Sequence, residues 1–258
     1  MTALGRSMTD SATMTRRNLR HALRYPAMSL ATMGTPIILL LLFVGVFGGA
    51  LGAGVGTGDY IDYIAPGIVL MGVASGCMVT SVSVCVDMTE GIVARFRTMP
   101  ISRNSLLTGH LLGSVIQTLI STALVVVAAV ALGFRPDASP LEWLAVAGLL
   151  TALAFALTWV AVGMGLSSKT PESASNTPML IQFLPFLGSA VVPPDSMPAG
   201  VRWFAEYQPF TAMNETLRGL LTGTPIGNDA AISLAWCAAL GLAGYLWSKL
   251  LFRRELTP

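Results

Sequence analysis

Charge is what this sequence has least of. Its 258 residues include 15 Lys and Arg, 13 Asp and Glu and 2 His, so 11% are charged while 53% are hydrophobic, and the mean hydropathy is +0.69. A soluble domain needs more polar surface than this to cover its exterior. The chain is therefore expected to live in a bilayer, and its net charge of +2 gives no basic footprint for nucleic acid.

Other shortages exclude whole classes of chemistry. The two histidines, His21 and His110, are too sparse for a metal centre. Cys77, Cys85 and Cys237 all fall inside apolar runs at no metal-ligand spacing, where a thiol behaves as a small hydrophobe and no disulfide is expected. A Walker A loop needs G-x-x-x-x-G-K-S/T, and the nearest approach, GLSSKT at 165–170, lacks the second Gly in place. If ATP drives this chain, another polypeptide binds it.

Ionisable residues are also missing from the middle of the apolar runs. Asp62, Glu142 and Lys249 stand at run ends, and the deepest strongly polar side chains are the uncharged Gln117 and Gln182. Ion-coupled transport needs a site that changes charge, so this absence counts against a secondary transporter. The run GVASG at 72–76 approaches the Gly-x-Ser-Gly of rhomboid-type proteases, but Val73 occupies the place of the first Gly. An intramembrane hydrolase is thus poorly supported.

What the sequence does contain is a series of long apolar stretches. Residues 28–51, 64–86, 106–132, 143–166, 174–192 and 230–247 predict six transmembrane helices, since about 20 apolar residues cross a core of about 30 Å. Pro36 interrupts the first, and Pro178 and Pro185 interrupt the fifth. Gly72 and Gly76 offer a close-packing face on the second. The segment 193–228, with Trp203, Phe204 and Tyr207, is too short of apolar residues to span and reads as short re-entrant helices at the outer interface.

Before the first span, Arg16, Arg20 and Arg24 recur every fourth residue beside Arg17, and Pro26 follows. That is a basic amphipathic helix suited to lie on an anionic inner leaflet. The expected division is 1–27 as a cytoplasmic segment and 28–258 as the membrane domain. Six spans put both termini on one side, and twelve of the fifteen Lys and Arg fall there. By the positive-inside rule that side is the cytoplasm, and the chain is expected to be a multi-pass protein of the cell's inner (plasma) membrane.

The one strongly charged segment between apolar runs is DMTEGIVARFRTMPISR at 87–103. It reads as a short cytoplasmic helix stopped by Pro100, with Phe96 suited to fill a partner's pocket while Arg95, Arg97 and Arg103 pair at its rim.

These residues resemble a known family. Glu90 and Gly91, followed by Arg95, Phe96, Arg97, Pro100, Ser102 and Arg103, are similar to the segment after the second span in the membrane subunits of type 2 ABC exporters, in particular the daunorubicin-resistance permease group. Ala94 stands where related sequences often have an acid. The stretches LGSAVVPPDSMPAGVRWFAEYQPFT at 187–211 and NETLRGLLTG at 214–223 are similar to that family's outer segment and to its signature before the last span.

The resemblance implies an all-α integral membrane protein that is not itself an enzyme. It implies a coupling helix carrying Asp87, Glu90, Gly91, Arg95, Phe96, Arg97, Pro100 and Arg103, which docks on a cytoplasmic ATPase in two copies, with ATP and Mg bound there. It implies a second permease subunit, identical or related, and export of a hydrophobic or amphipathic small molecule along the interface of the pair. A glycan or lipid-linked polymer uses the same fold. Candidates facing the path are Met71, Ser75, Met78, Gln182 and Phe186, because adaptable Met and aromatic surfaces accept varied apolar ligands.

Overall fold

The computed structural model describes the backbone of residues 26–49, 60–89 and 103–254, and side chains within 34–49, 60–89 and 111–252. Every regular element there is helical. In order they are α1 (Pro26–Gly45), α2 (Tyr60–Thr89), α3 (Arg103–Ala131), α4 (Pro140–Ser167), α5 (Pro171–Phe183), two 3-10 turns (Leu184–Leu187 and Pro194–Ser196), α6 (Ala199–Tyr207), α7 (Pro209–Thr222) and α8 (Asp229–Arg254).

Local chemistry sets several of these boundaries. Ser139 and Glu142 form a capping box at the start of α4, Glu142 N–H donating to Ser139 Oγ at 3.3 Å and Ser139 N–H to Glu142 Oε2 at 2.6 Å. Pro140 fills the first helical position, where no N–H is needed. Thr170, Pro171 and Ser173 repeat the device at α5. Gly223, at φ 72°, takes the left-handed conformation that ends α7, where a side chain would be strained.

Four described helices are long and apolar enough to cross a membrane: α2, α4, and the parts of α3 and α8 from Leu111 to Ala131 and from Asp229 to Phe252. α1 adds 20 residues, with Gly34–Gly45 as a shorter apolar stretch. Within the expected fifth span the helix is interrupted. α5 stops after 13 residues, about 20 Å at 1.5 Å per residue, short of a core of about 30 Å. Pro185 lacks the N–H needed to continue the α-helical ladder, so the chain tightens to a 3-10 turn and then a turn at 188–191, which reaches Gly67 near the start of α2.

α2 is the central helix. Its apolar window is 78% buried, against 22% for α8, because α1, α3, α4 and α5 all pack around it. It runs parallel to α4, with Cys77 Sγ donating to Leu157 O and Cys85 Sγ to Ser168 O. It runs antiparallel to α3, where Gly72 faces Thr122 and Gly76 faces Thr118. The Gly72 and Gly76 pair thus serves as the close-packing face its spacing suggests. All three cysteines are free and buried.

On the outside of α3, Leu112, Ile116, Ile120, Leu124, Val127 and Val130 are exposed. Their spacing of three and four residues makes one continuous apolar stripe, as a helix facing lipid requires. The 193–228 segment divides in two. α6 exposes Val201, Trp203, Phe204 and Tyr207, as expected of an interfacial helix, whereas α7 buries ten of its residues, including Phe210, Met213 and Leu217, against α2, α4 and α8.

Candidate functional site

At the end of the bundle where α2 begins, the 188–191 turn is held by a polar clamp. Arg218, on the buried face of α7 and only 9% exposed, donates from Nη2 to Ser189 O at 2.8 Å and to Tyr63 O at 3.2 Å. Its Nη1 donates to Glu215 Oε1 at 2.6 Å. The guanidinium also lies over the Tyr63 ring, 3.8 Å from the centroid, an arrangement that suits its planar, delocalised charge. One side chain thereby joins α2, α7 and the turn.

Neighbouring groups complete the clamp. Asn214 Nδ2 donates to Ser189 O at 3.0 Å and to Ser189 Oγ at 3.1 Å. Gln208 Nε2 donates to Leu184 O at 3.0 Å, and Tyr60 Oη to Val191 O at 3.2 Å. Gly67 permits the contact: a Cβ there would stand 2.5 Å from Ala190 Cβ. The turn packs against bare backbone on α2, so its position is set by geometry on three sides.

Below the turn an aromatic cluster lies open. Phe43 of α1 meets Phe186 at 5.9 Å between ring centroids, Phe186 meets Phe183 at 6.2 Å, and Phe43 meets Phe47 at 5.9 Å. Around it Ile38, Leu41, Phe47, Leu180, Phe183 and Leu187 are exposed. These residues leave an apolar face along α1, α5 and the turns that follow each uncovered within the single chain.

The five path candidates fall into two groups. Gln182 and Phe186 are half-buried beside the aromatic cluster. Met71, Ser75 and Met78 share one face of α2, but only Met78 is exposed, at 41%. Met71 and Ser75 are sealed in the core at 1% and 4% exposure, Ser75 Oγ donating to Met71 O at 2.8 Å. Within the single chain neither reaches a surface, because neighbouring helices cover that length of α2.

The charged segment lies mostly outside the described residues: Glu90, Gly91, Arg95, Phe96, Arg97 and Pro100 do, as do Arg16, Arg17, Arg20 and Arg24 of the basic N-terminal stretch. Asp87 is in the last turn of α2, and Arg103 begins α3. The segment therefore joins these two helices at the end where α4 stops and α5 starts. There Thr170 caps α5, and the Glu172 carboxyl is held below the usual carboxylate range, first by its own backbone N–H and then by the Thr170 hydroxyl.

Sequence reasoning did not single out Arg218, Tyr63, Phe43 or Phe183. The signal for Arg218 was present, the single arginine of 214–223 with Glu215 one helical turn before it. For Phe43 and Phe183 there was none, since a phenylalanine in an apolar run looks the same whether it packs inward or outward.

Comparison with known proteins gives consistent matches. A family model described as ABC-2 type transporter matches residues 10–222. The chain is 29% identical over 240 residues to daunorubicin resistance ABC transporter permease protein DrrB1 of Streptomyces coeruleorubidus, covering 92% of this chain and 83% of that protein. It is 28% identical over 211 residues to the probable doxorubicin resistance ABC transporter permease protein DrrC of Mycobacterium tuberculosis (strain CDC 1551 / Oshkosh), covering 79% and 75%. The same figures hold for that protein in strain ATCC 25618 / H37Rv.

Proposed function

The chain belongs to the ABC-2 type transporter family, and from that premise we propose that it is the permease subunit of an exporter whose ATP is hydrolysed by a separate cytoplasmic protein. The observation that carries this is the 87–103 segment, a phenylalanine-centred charged stretch between two membrane helices in a chain without a Walker A loop. In the mechanism, two ATPase subunits with bound ATP and Mg close together and push on this segment. Because it joins α2 to α3, the push reaches the central helix, and through α2 the 188–191 turn and the clamp.

The membrane arrangement belongs to the same proposal. Six crossings, the fifth made by α5 and the turns that follow it to 191, with the outer 193–228 segment re-entrant, put both termini on the cytoplasmic side of the inner membrane. The basic stretch with Arg16, Arg17, Arg20 and Arg24 then rests on the anionic leaflet. A second permease subunit covers the face of α1 and α5, and the export path runs along that seam past Phe43, Gln182, Phe183 and Phe186. Its lining is apolar and aromatic with one amide, which suits a hydrophobic or amphipathic small molecule. The names of the similar drug-resistance permeases support that substrate class.

The test is gentle purification from the native membrane, followed by mass spectrometry of what accompanies the chain. The expected companion is a stoichiometric cytoplasmic protein with a Walker A loop. Replacing Phe96 and Arg97 together by Ala should release that protein or uncouple its hydrolysis from transport, with membrane insertion intact. A double variant that transports normally would remove the docking role from this segment.

A further inference from the structure

α4 and α8 lie side by side and parallel, locked where Ser248 Oγ donates to Trp159 O at 3.0 Å and where Gly244 fits against the backbone of Trp159 and Val160. Along the seam runs a groove of about 1110 Å³, from Leu144 and Leu234 at one end to Phe155 and Tyr245 at the other. Its floor is cut low by small residues, including Gly148 and Ala238. A Cβ added at Gly148 would meet nothing within 4 Å. Thr151, the hydroxyl on its wall, is turned inward to Ala147 O at 2.6 Å, leaving an apolar slot.

Charge distinguishes the two ends. Glu142 and Asp229 stand in the first turns of α4 and α8. At the other end Lys249 follows Tyr245 by one helical turn, its ammonium 5.3 Å from the ring centroid, and Arg253 and Arg254 come next in sequence. Among the described residues no carboxylate is bonded to Lys249.

Length identifies the occupant. From Ala238 to Lys249 is eleven residues, about 16 Å along a helix, which matches half of a hydrocarbon core of about 30 Å. The cation then stands at headgroup level. We infer that this groove is a binding site for an anionic phospholipid of the leaflet at the Lys249 end, one acyl chain lying over Ala152 and Ala238 and the phosphate paired with Lys249. A zwitterionic lipid carries its own cation and has less to gain from Lys249, while the acidic end repels an anionic headgroup placed the other way round. The inference requires α4 and α8 to cross the membrane and is independent of any ATPase.

The experiment reconstitutes the full chain in vesicles of equal phosphatidylglycerol and phosphatidylcholine with matched chains, re-extracts it gently and counts retained lipid by native mass spectrometry. Phosphatidylglycerol should be retained in excess. Lys249→Gln should lower the phosphatidylglycerol preference about fivefold, the effect of one basic residue at an anionic surface. Ala238→Leu should fill the slot and abolish retention of either lipid with the melting temperature unchanged, and Ala152→Leu serves as a second filler should that variant fold poorly.

An unchanged lipid ratio in Lys249→Gln, or retention that survives a folded slot-filling variant, would overturn the assignment. So would cross-linking of two chains through Gly148→Cys, which would mean that a second copy covers the groove. Replacing Phe96 and Arg97 should leave lipid retention untouched, so a failure of the coupling proposal and a failure of this one give different results.

Discussion

Replacing Arg218 by Met removes the charge at the centre of the clamp while keeping most of the side chain's bulk. Three donated bonds and a ring contact disappear, to Ser189 O at 2.8 Å, Tyr63 O at 3.2 Å, Glu215 Oε1 at 2.6 Å and the face of Tyr63. Charged hydrogen bonds contribute about 1.5–3 kcal/mol each, so a naive sum approaches 10 kcal/mol. That sum overshoots. Ser189 O keeps its bond from Asn214 Nδ2, Tyr63 O remains in the α2 ladder, and Glu215 is partly exposed to solvent.

No group is thus left buried without any partner, and the variant also avoids desolvating a guanidinium. The expected loss is about 3 kcal/mol, at the lower edge of what breaking a buried pair costs. For a chain of this size that is a fall in melting temperature of roughly 6–12 °C. The assay is thermal unfolding in detergent, paired with limited proteolysis of the 193–207 stretch, which should be cut faster once the turn is released. Arg218→Lys should fall between the two, since one ammonium cannot reproduce the planar fork. Should Arg218→Met melt within about 2 °C of the parent and resist protease equally, the clamp does not hold the turn.

The other expectations follow from single contacts. Gly67→Val should displace the 188–191 turn, because even a Cβ collides with Ala190, and faster proteolysis of 193–207 is the readout. Met71→Ala should destabilise the chain by about 2–5 kcal/mol, the range for emptying a packed site, while Met78→Ala should leave its melting nearly unchanged. Phe183→Ala and Phe186→Ala should lower transport of apolar substrates while ATP hydrolysis by the partner continues, measured side by side in vesicles. Because the folded-state pKa of Glu172 is depressed, its contribution to α5 is present above the ordinary carboxylate pKa and lost as pH falls through the lowered value. Hydrogen exchange of the first α5 amides should rise on acidification in the parent and not in Glu172→Gln.

Much of the architecture was legible in the chain. The apolar runs of α2, α3, α4 and α8 are long enough to be read by length alone, since the bilayer imposes one scale on every crossing. Ser139–Pro140–x–Glu142 and Gly223 mark helix ends through chemistry confined to a few residues. The fifth run was read as one interrupted span, and Pro185 is where the α-helix gives way to a 3-10 turn; hydropathy does not report where backbone N–H groups find partners, so the shape of the interruption was not legible.

The candidate site was legible only in part. Met71 and Ser75 share a helix face with Met78, as their spacing of four and three residues dictates. Which part of that face stays open depends on where other helices end, and no local pattern encodes it. Arg218 entered the reading only as a charge in a topology count and a member of the 214–223 stretch, whereas two of its partners lie 29 and 155 residues away in sequence.

The sequence by itself determined that this is a helical membrane protein with one charged segment between two of its long apolar helices and no nucleotide-binding loop of its own. Composition, run length and the spacing of Glu90, Arg95, Phe96 and Arg97 are local properties and survive without coordinates. Only the tertiary structure decided that α2 is the centre, that α7 is buried, that Arg218 fastens the 188–191 turn, and that α4 and α8 leave a groove ending at Tyr245, one turn from Lys249. Each of these depends on which helix faces lie against one another, and long-range packing alone settles that in a chain apolar on nearly every side.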